Sequence, residues 1–189
     1  TIDANLDTSN GENKYIREKW ITEINVWILQ KLCIDDTDNI QKQKKGYLDE
    51  SLCVCPVLYF DGACRGNPSD RLGLGAVIKD TCGEVITSCS EVSETGGTNN
   101  DAEYLSLIAG LKLAIQSQIK NLNVKGDSLL IINQVTGKFQ VRAENLIPLH
   151  NTVKELEKEF YNIHYQHIKR ELNKDADKLA NMALDKKKD

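Results

Sequence analysis

Apolar and polar residues alternate in short blocks from residue 57 onward, and these blocks predict five strands and four helices. Short apolar runs bounded by turn residues are typical of strands, whereas apolar residues that recur every three or four positions indicate helices. On these criteria, strands are predicted at 57–60, 73–80, 84–93, 122–127 and 163–170, and helices at 99–118, 128–137, 146–161 and 174–187. The predicted order is βββαβααβα.

The spacing of these elements predicts how the strands pair. The first three strands are joined by tight turns, which favours antiparallel pairing, while the later strands alternate with helices, which favours parallel pairing. We therefore expect an α/β fold, with a five-stranded mixed sheet whose first three strands are antiparallel and with helices on both faces.

The first 56 residues have a different pattern from the rest. Residues 1–13 are polar and are expected to be disordered. Residues 14–32 repeat apolar side chains at helical spacing, including Ile16, Trp20 and Ile24, and predict an amphipathic helix. The charged, aperiodic segment 35–50 is expected to be a linker. The predicted organisation is an N-terminal extension at 1–56, one domain at 57–186 and a tail at 187–189.

Composition is that of an ordinary water-soluble protein, with 40% hydrophobic and 28% charged residues among 189. No run reaches the roughly 18 apolar residues of a membrane span. The net charge of −4 divides into −3 for residues 1–56 and −1 for residues 57–189. If four carboxylates of the domain face metal ions, its remaining surface is positive, so net charge does not exclude a polyanionic ligand.

Six irregularly spaced cysteines do not match a zinc motif and are expected to be reduced thiols of a cytoplasmic or nuclear protein, with one disulfide pair as the alternative. The polar and acidic start of the chain contains no secretion signal, so an intracellular location is expected. The chain does not begin with methionine, so we expect it to be a fragment or a processed product.

Four acidic residues stand at the ends of otherwise apolar elements: Asp61, Glu103, Asp127 and Asp177. A buried carboxylate without a partner is costly, and no lysine or arginine lies within the apolar runs to pair with all four. Each acid alone could serve as a helix cap, but four of them, one per element, are hard to explain by capping. Several hard oxygen ligands together indicate a site for Mg²⁺ or Mn²⁺.

The segments that carry these acids are "YFDGACRGNP", "TNNDAEYLSLIAGLKLA", "GDSLLIINQVTG" and "NKDADKLAN". In this order and with these elements between them, residues 57–186 resemble a type 1 ribonuclease H domain. They are most similar to the short archaeal and bacterial forms and to the ribonuclease H domains of LTR retrotransposons. The resemblance covers roughly seventy per cent of the chain.

The resemblance implies hydrolysis of the RNA strand of RNA–DNA hybrids, without sequence specificity, by two Mg²⁺ ions, with Mn²⁺ as a substitute. Asp61 would bridge both ions, Asp177 would hold the ion that activates water, and Glu103 and Asp127 would hold the other. The products would carry 5′-phosphate and 3′-hydroxyl ends. The neighbouring acids Asp101 and Asp175 are interpreted as solvated charges.

The resemblance also implies which residues contact the hybrid. Small polar side chains and backbone groups are suited to reading the 2′-hydroxyl that distinguishes RNA from DNA. By resemblance, the substrate-binding residues are Cys64, Arg65, Gly66, Asn67, Thr98, Asn99 and Asn100. The simpler interpretation of the asparagines is that they occupy turns or helix caps.

One feature departs from the family pattern. Many members carry a histidine in the loop before the last aspartate, but "KRELNKDAD" contains none. Arg170 or Lys174 could replace it electrostatically, while His164 and His167, three positions apart on the preceding strand, are expected to face opposite sides, one exposed and one packed.

Two other functions remain open at this point. The chain could be the ribonuclease H domain of a retroelement reverse transcriptase polyprotein, or a non-catalytic nucleic-acid-binding module with the same fold. Residues 14–32 are expected to pack on the domain itself or on a protein neighbour, such as another region of a reverse transcriptase.

Overall fold

A computed structural model describes residues 55–185, so the predictions for residues 1–54 and for the tail lie outside the described residues. The strands are β1 (Val57–Cys64), β2 (Leu72–Lys79), β3 (Val85–Ser93), β4 (Asn121–Gly126) and β5 (Asn162–His167). The helices are α1 (Asn99–Gln116), α2 (Leu129–Val135), α3 (Leu146–Glu157), a 3₁₀ helix (Arg170–Leu172) and α4 (Lys174–Asp185).

The strands form one mixed sheet in the order β3-β2-β1-β4-β5. β1 pairs antiparallel with β2, and β2 pairs antiparallel with β3, as the tight turns predict. β4 joins the other edge of β1 in parallel and is followed by β5, also parallel. The expected βββαβααβα order and mixed sheet are confirmed.

Helices cover both faces of the sheet, and each face is built from small and apolar residues. On one face, Leu58 and Phe60 of β1 are fully buried in a cluster that includes Leu107 and Leu111 of α1. On the other face, α4 lies directly on β2. A side chain at Gly75 would overlap backbone atoms of α4, so only glycine permits this approach.

Element ends differ from the prediction by a few residues, and hydrogen bonds explain the difference. The predicted helix 146–161 ends as α3 at Glu157, because the N–H groups of the next three residues donate to carbonyls three positions back, as in a tight turn. The predicted strand 163–170 ends at His167. Ile168 donates the last bond to Gly126, after which the chain enters the 3₁₀ helix.

Among the described cysteines, Cys64, Cys82 and Cys89 carry free thiols. The described helices include none that is both long enough and apolar enough to cross a membrane.

The contact between β2 and α4 generates a stability prediction. We expect Gly75→Ala to lower the free energy of unfolding by about 3 kcal/mol, because the added methyl group overlaps the Ala176 carbonyl and the Ala180 amide. Urea denaturation measures the change. As a control, Gly83→Ala lies in open space and should cost only about 1 kcal/mol of left-handed backbone strain. Equal losses in the two variants would contradict this packing.

Candidate active site

The register of the sheet places two of the predicted acids side by side. Tyr59 pairs with Lys125, which is the last parallel pair of β1 and β4. Asp61 and Asp127 each stand two residues beyond this pair, Asp61 within β1 and Asp127 directly after β4. They therefore lie next to each other and on the same face. β4 ends at Gly126, so this end of β1 is open on one side.

Glu103 reaches the same place from the first turns of α1. The helix starts at Asn99 and lies against β1 because Gly62 has no side chain. A Cβ atom there would overlap backbone atoms of Ala102 and Glu103. Oxygen atoms of Asp61, Glu103 and Asp127 lie within 4.8 Å of one another, a geometry that could hold a metal ion.

Asp177 lies in the first turn of α4 and is not part of that three-carboxylate group. Its side chain accepts a hydrogen bond from Nη2 of Arg170 at 2.9 Å. Both residues line a cavity of about 170 Å³ together with Asp61, Glu103 and Asp127. The structure thus brings all four predicted acids to one cavity and gathers three of them closely.

Burial and the charges of neighbouring carboxylates make Asp61 and Glu103 difficult to ionise. Burial, followed by the charges of Asp127 and Asp177, raises the pKa of Asp61 from 3.8 to about 7. Burial, with the charges of Asp61 and Asp127, raises the pKa of Glu103 well above its usual value. Oε2 of Glu103 is buried and has no hydrogen-bond partner among the described residues. These hard oxygen donors fit a divalent cation, which would remove the repulsion.

The two loops with the predicted substrate-binding residues meet beside this cavity. Ser69 and Gly97 exchange two backbone hydrogen bonds of 2.8 Å, which join the loop after β1 to the loop before α1. Oδ1 of Asn67 accepts a hydrogen bond from the N–H of Asn99 at 3.3 Å. Cys64 and Asn99 line the cavity itself.

The remaining predicted substrate-binding residues lie on the same two loops. Gly66 is exposed, with φ +111, and Asn100 is partly exposed in the first turn of α1. Arg65 is exposed and pairs with Asp185 at the end of α4. Thr98 caps α1, and its hydroxyl group donates to Asp101 at 2.7 Å.

The interpretation of Asp101 as a solvated charge is wrong. Its side chain is only 8% exposed and also accepts hydrogen bonds from Nδ2 of Asn145 at 2.8 and 3.0 Å. Burial alone would raise its pKa, but the hydrogen bonds from Thr98 and Asn145 lower the pKa below 3.8. Asp175 is exposed, as expected, and pairs with Lys79 at 2.5 Å.

The prediction that one of the two histidines of β5 is packed is also wrong, since His164 and His167 are both exposed. His167 stands at the end of the strand, beyond the core, and its Nε2 lies 3.1 Å from the backbone oxygen of Asp127. Sequence reasoning also missed Asn173, which is 1% exposed and donates to the Asp127 carboxylate. Its position directly before "KDAD" was the only available signal.

Comparison with known proteins identifies the family. Residues 59–183 match the family described as reverse transcriptase-like. The ribonuclease HI of Halobacterium salinarum is 37% identical over 129 residues, which are 67% of this chain and 63% of that protein. The crystal structure of RNase H1 from the same archaeon superposes with a TM-score of 0.66 at 35% identity, covering 69% of this chain and 97% of that one. The chain belongs to the type 1 ribonuclease H family.

Two further relatives agree with this assignment. The bifunctional protein Rv2228c of Mycobacterium tuberculosis is 36% identical over 129 residues, which are 68% of this chain and 35% of that protein. LC11-RNase H1, solved in complex with an RNA/DNA hybrid, has a TM-score of 0.64 and 33% identity, covering 69% of this chain and 96% of that one. The chain therefore spans about a third of the full-length mycobacterial protein and under two thirds of the full-length archaeal ribonuclease HI.

The raised carboxyl pKa values predict how stability depends on pH and Mg²⁺. A carboxyl group whose pKa is raised by folding stabilises the metal-free domain below pH 4, and this contribution is lost as the pH rises through about 7. Mg²⁺ should therefore raise the melting temperature more at pH 8 than at pH 5.5. Asp61→Asn should stabilise the metal-free domain at pH 8 by about 1–3 kcal/mol.

Scanning calorimetry in EDTA and in Mg²⁺ at both pH values measures these effects. Glu155→Gln, which removes an exposed carboxylate on α3, should leave the response to Mg²⁺ unchanged. A Mg²⁺ response of the same size at the two pH values would contradict the electrostatic account.

Proposed function

We propose that this chain is a ribonuclease H that hydrolyses the RNA strand of RNA–DNA hybrids without sequence specificity. The observation that carries the proposal is the group of buried carboxylates Asp61, Glu103 and Asp127, with Asp177 on the same cavity. A solved relative at 33% identity was crystallised with an RNA/DNA hybrid, which supports the choice of substrate.

We infer that the cofactor is Mg²⁺, bound as two ions, with Mn²⁺ as a substitute. Asp61 would bind both ions, Glu103 and Asp127 would hold one, and Asp177 would hold the other. When bound, the ions would supply the Lewis acidity that generates a nucleophilic water and stabilises the leaving 3′ oxygen. The products would carry 5′-phosphate and 3′-hydroxyl ends.

The two joined loops are proposed to read the substrate. Asn67 and Asn99 stand side by side next to the cavity and offer amide donors and acceptors to ribose 2′-hydroxyl groups. Cys64, Arg65, Gly66 and Asn100 would contact the same strand, and Thr98 would contact a phosphate of the DNA strand. The buried cap at Asp101 fixes the start of α1 and thereby holds Thr98, Asn99 and Asn100 in place.

Arg170 is proposed to serve in place of the missing loop histidine. Its guanidinium group pairs with Asp177 and Arg170 lines the cavity, whereas Lys174, at the start of α4, is not among the residues that line the cavity. A cation at this position can attract a phosphate group and can follow the cleaved product outward. An intracellular location and a protein neighbour for residues 14–32 also remain proposals.

The assignment of Asp61 yields a direct test. Asp61→Asn should abolish Mg²⁺-dependent cleavage of a labelled hybrid, by at least about 1,000-fold, because the carboxylate shared by both ions is lost. Hybrid binding, measured by fluorescence anisotropy in EDTA, should change less than about threefold, since the two loops remain intact.

Asp175→Asn is the matched control, because Asp175 stands two residues from Asp177 but is exposed and paired with Lys79. It should cleave at nearly the rate of the unmodified chain. Retained cleavage in Asp61→Asn would refute the assignment of Asp61 as the shared metal ligand.

A further inference from the structure

Asn173 is a buried polar residue beside the acidic cavity, at 1% exposure. It stands at the C-terminal end of the 3₁₀ helix, directly before α4. Its Nδ2 atom donates to the backbone oxygen of Phe60 at 2.8 Å and to Oδ1 of Asp127 at 2.7 Å. The Asn173 carbonyl oxygen accepts a hydrogen bond from the N–H of Asp177 at 3.1 Å. This one residue therefore contacts all three segments that deliver Asp61, Asp127 and Asp177.

The orientation of the amide follows from its partners. The Phe60 carbonyl oxygen and the Asp127 carboxylate are both acceptors, so only the NH₂ group of Asn173 can face them. The amide oxygen Oδ1 is then buried, with no hydrogen-bond partner among the described residues. A buried acceptor left unpaired is unfavourable, and such a feature at a functional site indicates that local stability has been exchanged for geometry.

A neutral donor is suited to this position for an electrostatic reason. It orients a carboxylate oxygen by a short hydrogen bond without adding positive charge that would repel a metal ion. Arg170 differs, because it adds a positive charge by forming an ion pair with Asp177. Residues that orient metal ligands through such hydrogen bonds commonly change metal affinity by 10- to 100-fold when removed.

We propose that Asn173 is a positioning residue that fixes the Asp127 carboxylate, and with it the spacing of β1 and β4, for metal binding. The inference rests on the proposed function, because it assigns Asp127 as a metal ligand. Asn173 itself does not touch the reacting atoms. It acts through Asp127, and this gives its removal a signature that a merely structural residue would lack.

The test compares Asn173→Ala with Asn162→Ala in the full chain. Asn162 is a matched control, since its amide likewise joins two segments, here β5 and β4, through a hydrogen bond to Asn121, but it is exposed at the far end of the sheet. Titration calorimetry with Mn²⁺, without substrate, should show affinity about 10- to 100-fold weaker in Asn173→Ala and unchanged in Asn162→Ala. For the hybrid, kcat should fall while KM stays within about twofold, because the substrate-binding loops are intact.

A double-mutant cycle separates positioning from general destabilisation. In the Asp127→Asn background, adding Asn173→Ala should change Mn²⁺ affinity less than about twofold, because the carboxylate that it orients is already gone. A full additional loss in that background would overturn the proposal. So would unchanged Mn²⁺ affinity in a folded Asn173→Ala protein.

Should the alanine variant fail to fold, Asn173→Ser provides the same comparison. Its shorter hydroxyl group can donate one hydrogen bond but cannot reach both acceptors. At least a tenfold loss of Mn²⁺ affinity supports the proposal, and unchanged affinity overturns it.

Cleavage of the hybrid by the unmodified chain is measured alongside. If the unmodified chain cleaves and the variants bind metal normally, this inference alone fails, whereas absent cleavage by the unmodified chain counts against the proposed function.

Discussion

Repulsion between buried carboxylates is the constraint around which this domain is arranged. Asp61 and Glu103 are each only 6% exposed, and Asp127 lies beside them with oxygen atoms inside 4.8 Å. Placing several like charges in a poorly solvated site costs folding energy unless they are protonated or neutralised by a cation. The raised pKa values of Asp61 and Glu103 express that cost. A divalent cation would convert the same geometry into a favourable one, so the arrangement fits a site for such an ion.

The rest of the fold brings these charges together and keeps them there. Gly62 lets α1, which carries Glu103, approach β1 closely. On the opposite face of the sheet, Gly75 lets α4, which carries Asp177, approach β2 closely. One acid is then contacted by a neutral side chain and another by a charged one. The amide of Asn173 contacts Asp127 without adding charge, while Arg170 provides a cation for the more exposed Asp177.

Sequence reasoning identified the elements and the four acids because both depend on local signals. Apolar periodicity gives the strands and helices, and an acid at the end of an apolar run stands out. The fate of Asp101 and the role of Asn173 could not be found in this way. Their partners Asn145 and Asp127 are 44 and 46 positions away in the sequence, so these contacts form only when the chain folds. Strand alternation alone predicts one exposed and one packed histidine at positions 164 and 167. It does not show that β5 leaves both side chains exposed.

Substrate-panel cleavage tests the central claim most directly. Matched RNA–DNA, RNA–RNA and DNA–DNA duplexes, each labelled at a 5′ end, would be incubated with the full chain in Mg²⁺ and then in EDTA. We expect cleavage of the RNA strand of the hybrid alone, with 3′-hydroxyl products, and no cleavage in EDTA. Salt-sensitive binding of the hybrid without any cleavage in Mg²⁺ or Mn²⁺ would contradict it and would indicate a binding module on the same fold.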